Sequence, residues 1–238
     1  MKKTKHHRQR KLQIILVLIL VILIIVEIFI YFWKNPFWSN RNTSATDQKD
    51  DFSVEFDIEQ YHSSLDMDND GVDDQMDILQ SAKEYVDTKP KYKSKYYEGG
   101  YPDDGYGVCT DVVAFAFLNS GYDLQKLVNE DIQINLEEYG IDEPDPNIDF
   151  RRVQNLKVYF SHTAQELTTD ISEIEEWQGG DIVIFSKHIG IISDKRNEDG
   201  IPYVIHHVSE TQKYYEEDIL EKRAGRDDIC GHYRILDR

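Results

Sequence analysis

Positive charge, cysteine and internal repetition are all scarce in this chain. Only two of its 238 residues are cysteine, Cys109 and Cys230. They lie far apart in the sequence, so one disulfide at most could form in an oxidising compartment, and Cys109 is better explained as a reactive thiol. No internal repeat is present. Lysine and arginine total 27 against 45 aspartate and glutamate, a net charge of −18. The deficit is uneven: residues 1–42 hold eight basic residues and one acid, which leaves 19 basic and 44 acidic residues beyond them, a balance of −25. A region that acidic is excluded from binding nucleic acid through its phosphates, which requires a basic surface. Near a cell wall the same acidity would attract divalent cations.

What the first residues do contain sets the location. Lys2, Lys3, Lys5, Arg8, Arg10 and Lys11 come with no acid among them. They are followed by an apolar run, Ile14 to Trp33, interrupted only by Glu27. A run of that length can cross a hydrocarbon core of about 30 Å, and the basic flank stays in the cytoplasm. A cleaved signal peptide would have a shorter apolar core and small residues at the cut; here Phe29, Tyr31, Phe32, Trp33, Phe37 and Trp38 stand at its end, as in an interfacial aromatic belt. The expected organisation is a cytoplasmic segment over 1–11, a transmembrane helix over 12–33, an extracellular tether over 34–60 and one outer domain over 61–238. The protein is thus expected at the cell membrane, single-pass, with its C-terminal domain outside.

Within the outer domain, the segment Gly107-Val-Cys109-Thr-Asp111 runs into Val112, Val113, Ala116 and Phe117, which have helical spacing up to Gly121. Cys109 is therefore placed at a helix N-terminus, where the dipole and free N–H groups favour thiolate and could hold an oxyanion. A buried structural cysteine is the bland alternative, opposed by the Gly- and Asp-rich loop Pro102-Asp-Asp-Gly-Tyr-Gly107 that precedes it. Asp111 is read chiefly as a helix cap. Further helices are expected over 124–139 and 150–160, and strands over 182–185, 189–192, 203–208 and 232–236. Helices first and antiparallel strands after give an α+β domain. His188 opens one strand, and His206 and His207 lie in the next. Only one of that pair can face His188, because strand residues alternate sides; that residue would orient the His188 ring.

A second motif precedes the first helix: Asp66-Met-Asp68-Asn-Asp70-Gly71-Val-Asp73-Asp74-Gln-Met-Asp77. Aspartates at positions 1, 3 and 5 with glycine at 6 match the start of an EF-hand loop, where alternate carboxylates converge on one hard cation. Position 12 holds Asp77 instead of glutamate, so either Asp73 or Asp77 could close the site. The alternative is an acidic turn whose Asp73 or Asp74 caps the helix carrying Ile78, Leu79, Ala82, Tyr85 and Val86. The expected metal ligands are Asp66, Asp68, Asp70 and Asp77 around one structural calcium ion.

Taken in order, Cys109, Gly180-Asp181-Ile-Val-Ile-Phe185, His188-Ile-Gly-Ile191 and Val204-Ile-His206-His207 resemble the NlpC-type, papain-like cell-wall cysteine peptidases. The stretch from about Asp77 to Arg234 also resembles the bacterial family of domain of unknown function 1287, grouped with NlpC-type folds. The resembling segments are Tyr96 to Asp111, Pro146-Asn-Ile-Asp-Phe-Arg-Arg152 and Gly231-His-Tyr-Arg234. The resemblance implies helices packed on an antiparallel sheet and, by register, His206 as third residue with His207 as alternate. The usual Asp-Cys-Ser is here Val-Cys-Thr-Asp, so the family's amine-binding contacts do not carry over. The expected activity is a cysteine peptidase or amidase with Cys109, His188 and His206 as its site and no catalytic cofactor. Its expected partners are the membrane and a peptide of cell-wall peptidoglycan. The alternatives are a calcium-stabilised binding module without turnover, or a Cys-dependent acyltransferase.

Overall fold

The computed structural model describes residues 51–226 and 228–236. The expected transmembrane helix and cytoplasmic segment lie outside the described residues. Among the described residues, no helix is long and apolar enough to cross a membrane.

The first helix, α1, spans Asp74–Asp87. Asp73 caps it by accepting the Met76 N–H, and Ile78, Leu79, Ala82 and Val86 form its buried stripe. Two short strands, β1 (Lys91–Tyr92) and β2 (Tyr106–Gly107), then pair in parallel and lead into α2, Cys109–Asn119. Helix α2 is the central one: Val112, Val113, Ala114 and Ala116 are fully buried. Gly121, at φ +86°, turns the chain out of it, a conformation that a side chain would oppose. Helix α3, Leu124–Tyr139, starts where Asp123 accepts the Gln125 and Lys126 N–H groups and ends at left-handed Gly140. A 3₁₀ turn, Asp149–Arg151, precedes α4, Val153–Thr163.

The remaining strands are β3 (Ala164–Glu166), β4 (Ile182–Phe185), β5 (His188–Arg196), β6 (Pro202–Ile205), β7 (Glu216–Glu217) and β8 (Ile229–Ile235). A short helix, α5, occupies Leu220–Ala224. The six strands form one antiparallel sheet in the order β3-β8-β4-β5-β6-β7, so the α+β expectation holds. Strand β4 is apolar throughout because both of its faces are buried. Ile182 and Ile184 join the large core with the helices; Val183 and Phe185 join Trp177, Ile192, Val204 and Leu220 in a second core on the opposite face.

Several boundaries differ from those expected. The expected 150–160 helix is divided between the 3₁₀ turn and α4. Strand β6 ends at Ile205, one residue before the histidine pair, although His206 N–H still bonds to Tyr215 O at 2.7 Å. Residues 51–60, assigned to the tether for their polarity, are held against the domain. Phe52 N–H bonds to Arg196 O at 3.1 Å, and Gln178 Nε2 donates to Glu59 O at 3.2 Å. Composition alone did not reveal these backbone partners.

Candidate active site

Cys109 is the first residue of α2, and several interactions fix that end of the helix. Asp111 Oδ2 accepts the Val108 N–H at 2.8 Å, which is the carboxylate half of a capping box; valine cannot supply the other half. Both Asp111 oxygens are also gripped by Arg151, from Nε at 2.6 Å and Nη2 at 2.9 Å. Arg151 Nη1 then donates to Lys95 O at 2.8 Å. Asp111 is fully buried, and it serves as a cap and an anchor for the helix start.

The Cys109 side chain is half-buried, with its sulfur against the Ile189 N–H of β5, the residue after His188. Burial pushes the thiol up to about 11, while the Ile189 and Thr110 N–H groups pull it back. This shift runs against the expected preference for thiolate: desolvation opposes the helix N-terminus. Both cysteines are free; Cys230 is half-buried, with Sγ 3.4 Å from Asp228 O.

His188 is buried at the start of β5, where Phe185 stacks on it at 5.9 Å. Its Nε2 lies 2.9 Å from His206 Nδ1, with the rings 81° apart. That bond engages Nε2 and leaves Nδ1 as the second ring nitrogen of His188. Burial pushes His188 down to about 3, and the positive potentials of His206 and Arg223 add to the effect. Both shifts favour the uncharged forms, thiol and neutral imidazole. Gly190 makes the histidine contact possible: a Cβ there would meet Val204 Cγ1 at 2.6 Å and Ile205 O at 2.8 Å, so β6 could not approach β5 as closely. On the far side of His206, Glu217 Oε2 stands 3.0 Å from Nε2, close enough to interact although out of line for a hydrogen bond.

His207 turns the other way. Its ring meets Tyr92 at 5.2 Å and Tyr215 at 5.0 Å, and its buried Nδ1 has no partner among the described residues. Beside it opens a groove of about 450 Å³ lined by Lys89, Lys91, Tyr92, Lys93, Tyr106 and Tyr215, with Glu210 as the acid in its wall. Burial raises the phenol of Tyr92 in the groove wall, and Cys109 adds to the rise.

Residues 79–235 match a family model described as "Domain of unknown function (DUF1287)". The chain belongs to the DUF1287 family. The "Uncharacterized protein YijF" of Escherichia coli (strain K12) is 39% identical over 156 residues, covering 62% of this chain and 73% of its own. No solved structure matches significantly.

The matched DUF1287 region contains Cys109, His188, His206 and Glu217, and also a polar cluster that is structural. Asp181 is fully buried and receives Arg234 Nε and Nη2, each at 2.7 Å, and Gln75 Nε2 at 2.9 Å. His232 Nε2 lies 2.9 Å from it, and the His232 ring stacks on Trp177 at 3.8 Å. The Gly-Asp before β4 and the Gly-His-Tyr-Arg of β8 are thus tied together through Asp181. Gly180, at φ +95°, is required because a Cβ would run into Gln75 O.

The acidic loop lies wholly ahead of the matched DUF1287 region. The Asp66, Asp68 and Asp70 carboxylates lie within 4.8 Å of one another and are exposed. Asp73 is committed elsewhere: it caps α1, accepts the Ser63 N–H at 3.0 Å and pairs with His62 at 2.8 Å. Asp74 accepts the Met67 N–H at 2.8 Å and the Tyr122 hydroxyl. Asp77 is left to the cluster. Burial pushes it up to about 7, reinforced by Asp70, Asp68, Asp74 and Asp66.

Sequence reasoning missed Glu217 and Tyr92. Glu217 sits in an acidic run, and Tyr92 in a lysine-rich segment, neither carrying a local mark of chemistry.

Proposed function

We propose that this DUF1287 domain is a membrane-anchored, extracellular thiol hydrolase that cleaves peptide or amide bonds of peptidoglycan stem peptides. The observation that carries the proposal is the placement of Cys109 at the start of α2 with its sulfur against the Ile189 N–H of β5, the residue next to a His188 whose Nε2 is engaged by His206. A helix-borne cysteine against an antiparallel sheet that carries the histidine pair also supports kinship with the NlpC-type, papain-like peptidases.

The protonation states set the order of events. Because thiol and imidazole are both neutral, His188 Nδ1 removes the Cys109 proton as the sulfur attacks the carbonyl, as a serine hydrolase does. That requires His188 to carry its own hydrogen on Nε2, donated to His206 Nδ1, which places the His206 hydrogen on Nε2 facing Glu217. N–H groups at the start of α2 stabilise the oxyanion. The carbon–nitrogen bond then breaks, His188 returns the proton to the leaving amine, and a thioester remains on Cys109. Water adds to the thioester with its proton passing to His188, and collapse releases the carboxylic acid and the thiol. The lysines of the adjacent groove suit a peptide bearing carboxylates, as stem peptides do.

The experiment is digestion of purified wall peptides by the protein and by Cys109→Ala, with products read by mass spectrometry. New amine and carboxyl termini from the wild type alone support hydrolysis. Products joined to an added amine would identify acyl transfer, and retention of intact peptide without new termini would identify a binding module.

A further inference from the structure

We infer that the loop over residues 66–77 is a calcium site that braces α1 against the far end of the cysteine helix. This inference is independent of the hydrolase reading.

Sorting the loop's carboxylates by what already engages them isolates the ligands. Asp73 and Asp74 serve the α1 cap, His62, Met67 and Tyr122. Asp66, Asp68 and Asp70 accept only N–H groups within the loop. Their carboxylates still converge within 4.8 Å, and among the described residues no Lys or Arg pairs with them. Convergence of exposed acids is by itself unremarkable; Asp77 is the separate observation. It is buried, and its Oδ2 has no hydrogen-bond partner among the described residues. Burying a carboxylate oxygen unsatisfied is costly, and a cation shared with its three acidic neighbours removes that cost.

The donor set selects the ion. Asp66, Asp68 and Asp70, joined by Asp77 and by the Val72 carbonyl at the seventh position of the loop, would offer an ion only oxygen donors, without nitrogen or sulfur, which suits a hard cation. Calcium accepts such an array with irregular geometry and few waters, whereas magnesium demands a tight octahedron and keeps its water. Asp77 closes the site where the sequence left Asp73 and Asp77 as alternatives, since Asp73 is occupied.

The loop also touches the catalytic scaffold. A Cβ on Gly121 would meet Met67 Cγ at 3.0 Å and Asp68 N at 3.2 Å, so the loop packs on the C-terminal end of α2. Tyr122 in turn donates to Asp74. An ion bound by Asp68 and Asp77 therefore holds the loop to the start of α1 and, through these contacts, against the helix that carries Cys109 at its other end.

The test uses the full chain in detergent after chelator treatment, titrated with calcium chloride and with magnesium chloride while thermal unfolding is followed. Calcium is expected to raise Tm by about 5–10 °C at a hundredfold excess over its Kd, and magnesium at the same concentration by much less. Asp68→Asn combined with Asp70→Asn is expected to abolish the rise while leaving the metal-free Tm equal to or above that of the wild type, because repulsion is relieved. Terbium luminescence excited through the tyrosines gives a second reading, bright in the wild type, quenched by calcium and lost in the double variant. A wild type without a calcium-dependent Tm shift or terbium signal overturns the site. So does a double variant that loses metal-free stability yet keeps its response to calcium.

Discussion

His188 Nε2 and His206 Nδ1 stand 2.9 Å apart with their rings 81° to one another. In the proposed mechanism that contact decides which His188 nitrogen takes the thiol proton. If His206 fixes the hydrogen of His188 on Nε2, its loss should act on turnover far more than on substrate binding. His206→Ala is expected to lower kcat by about 10²–10⁴-fold with KM little changed. His206→Asn should recover part of the loss, because its amide oxygen can accept the same hydrogen bond. Glu217→Gln should cost less than His206→Ala. Steady-state kinetics on wall peptides measure all three.

The neutral state of the pair has its own signature. With the thiol pushed up to about 11 by burial, alkylation of Cys109 by iodoacetamide in the absence of substrate should quicken by about tenfold per pH unit through neutrality. Mass spectrometry of the labelled protein reads the rate. A plateau reached below pH 8 would instead indicate a preformed thiolate–imidazolium pair.

Acid should destabilise the domain through its buried histidines. Burial holds His188 at about 3 and His207 at about 4, against 6.5 for the ordinary group. Both folded values lie below the unfolded one, so the unfolded chain binds more protons in the interval between them. This contribution to stability is complete above pH 6.5 and declines as pH falls towards 3–4. The urea midpoint should drop across that window, and His207→Phe should make the drop shallower.

The Asp111–Arg151 pair should be stringent. Both side chains are buried, and Asp111 also accepts the Val108 N–H. Asp111→Ala leaves the guanidinium without its counter-charge and should cost about 3–5 kcal/mol of unfolding free energy in urea titrations. Adding Arg151→Met should recover part of that loss.

Local signals in the sequence explain which elements were legible there. Helix α3 carries its own punctuation in Asp123 and Gly140, and β4 is an apolar run whose length suits a strand buried on both faces. The Cys109 helix start and the position of His188 followed from equally local signals, whereas the choice of His206 over His207 rested on the resemblance to the NlpC-type peptidases. What escaped depends on distant partners. Burial of Cys109, which pushes its thiol up against the helix-end effect visible locally, depends on α2 packing onto β5. The choice between Asp73 and Asp77 turns on His62, Ser63 and the α1 cap. Glu217 enters only because β7 pairs with β6, opposite Val204. The binding of residues 51–60 to Arg196 and Gln178 likewise joins segments more than a hundred residues apart.

The most direct test of the Cys109–His188 proposal is mass spectrometry of purified wall peptides after incubation with the wild type, Cys109→Ala and His188→Ala. New amine and carboxyl termini with the wild type, absent with both variants, are the predicted result. Peptides left uncleaved by the wild type, or cleaved equally by Cys109→Ala, would contradict it.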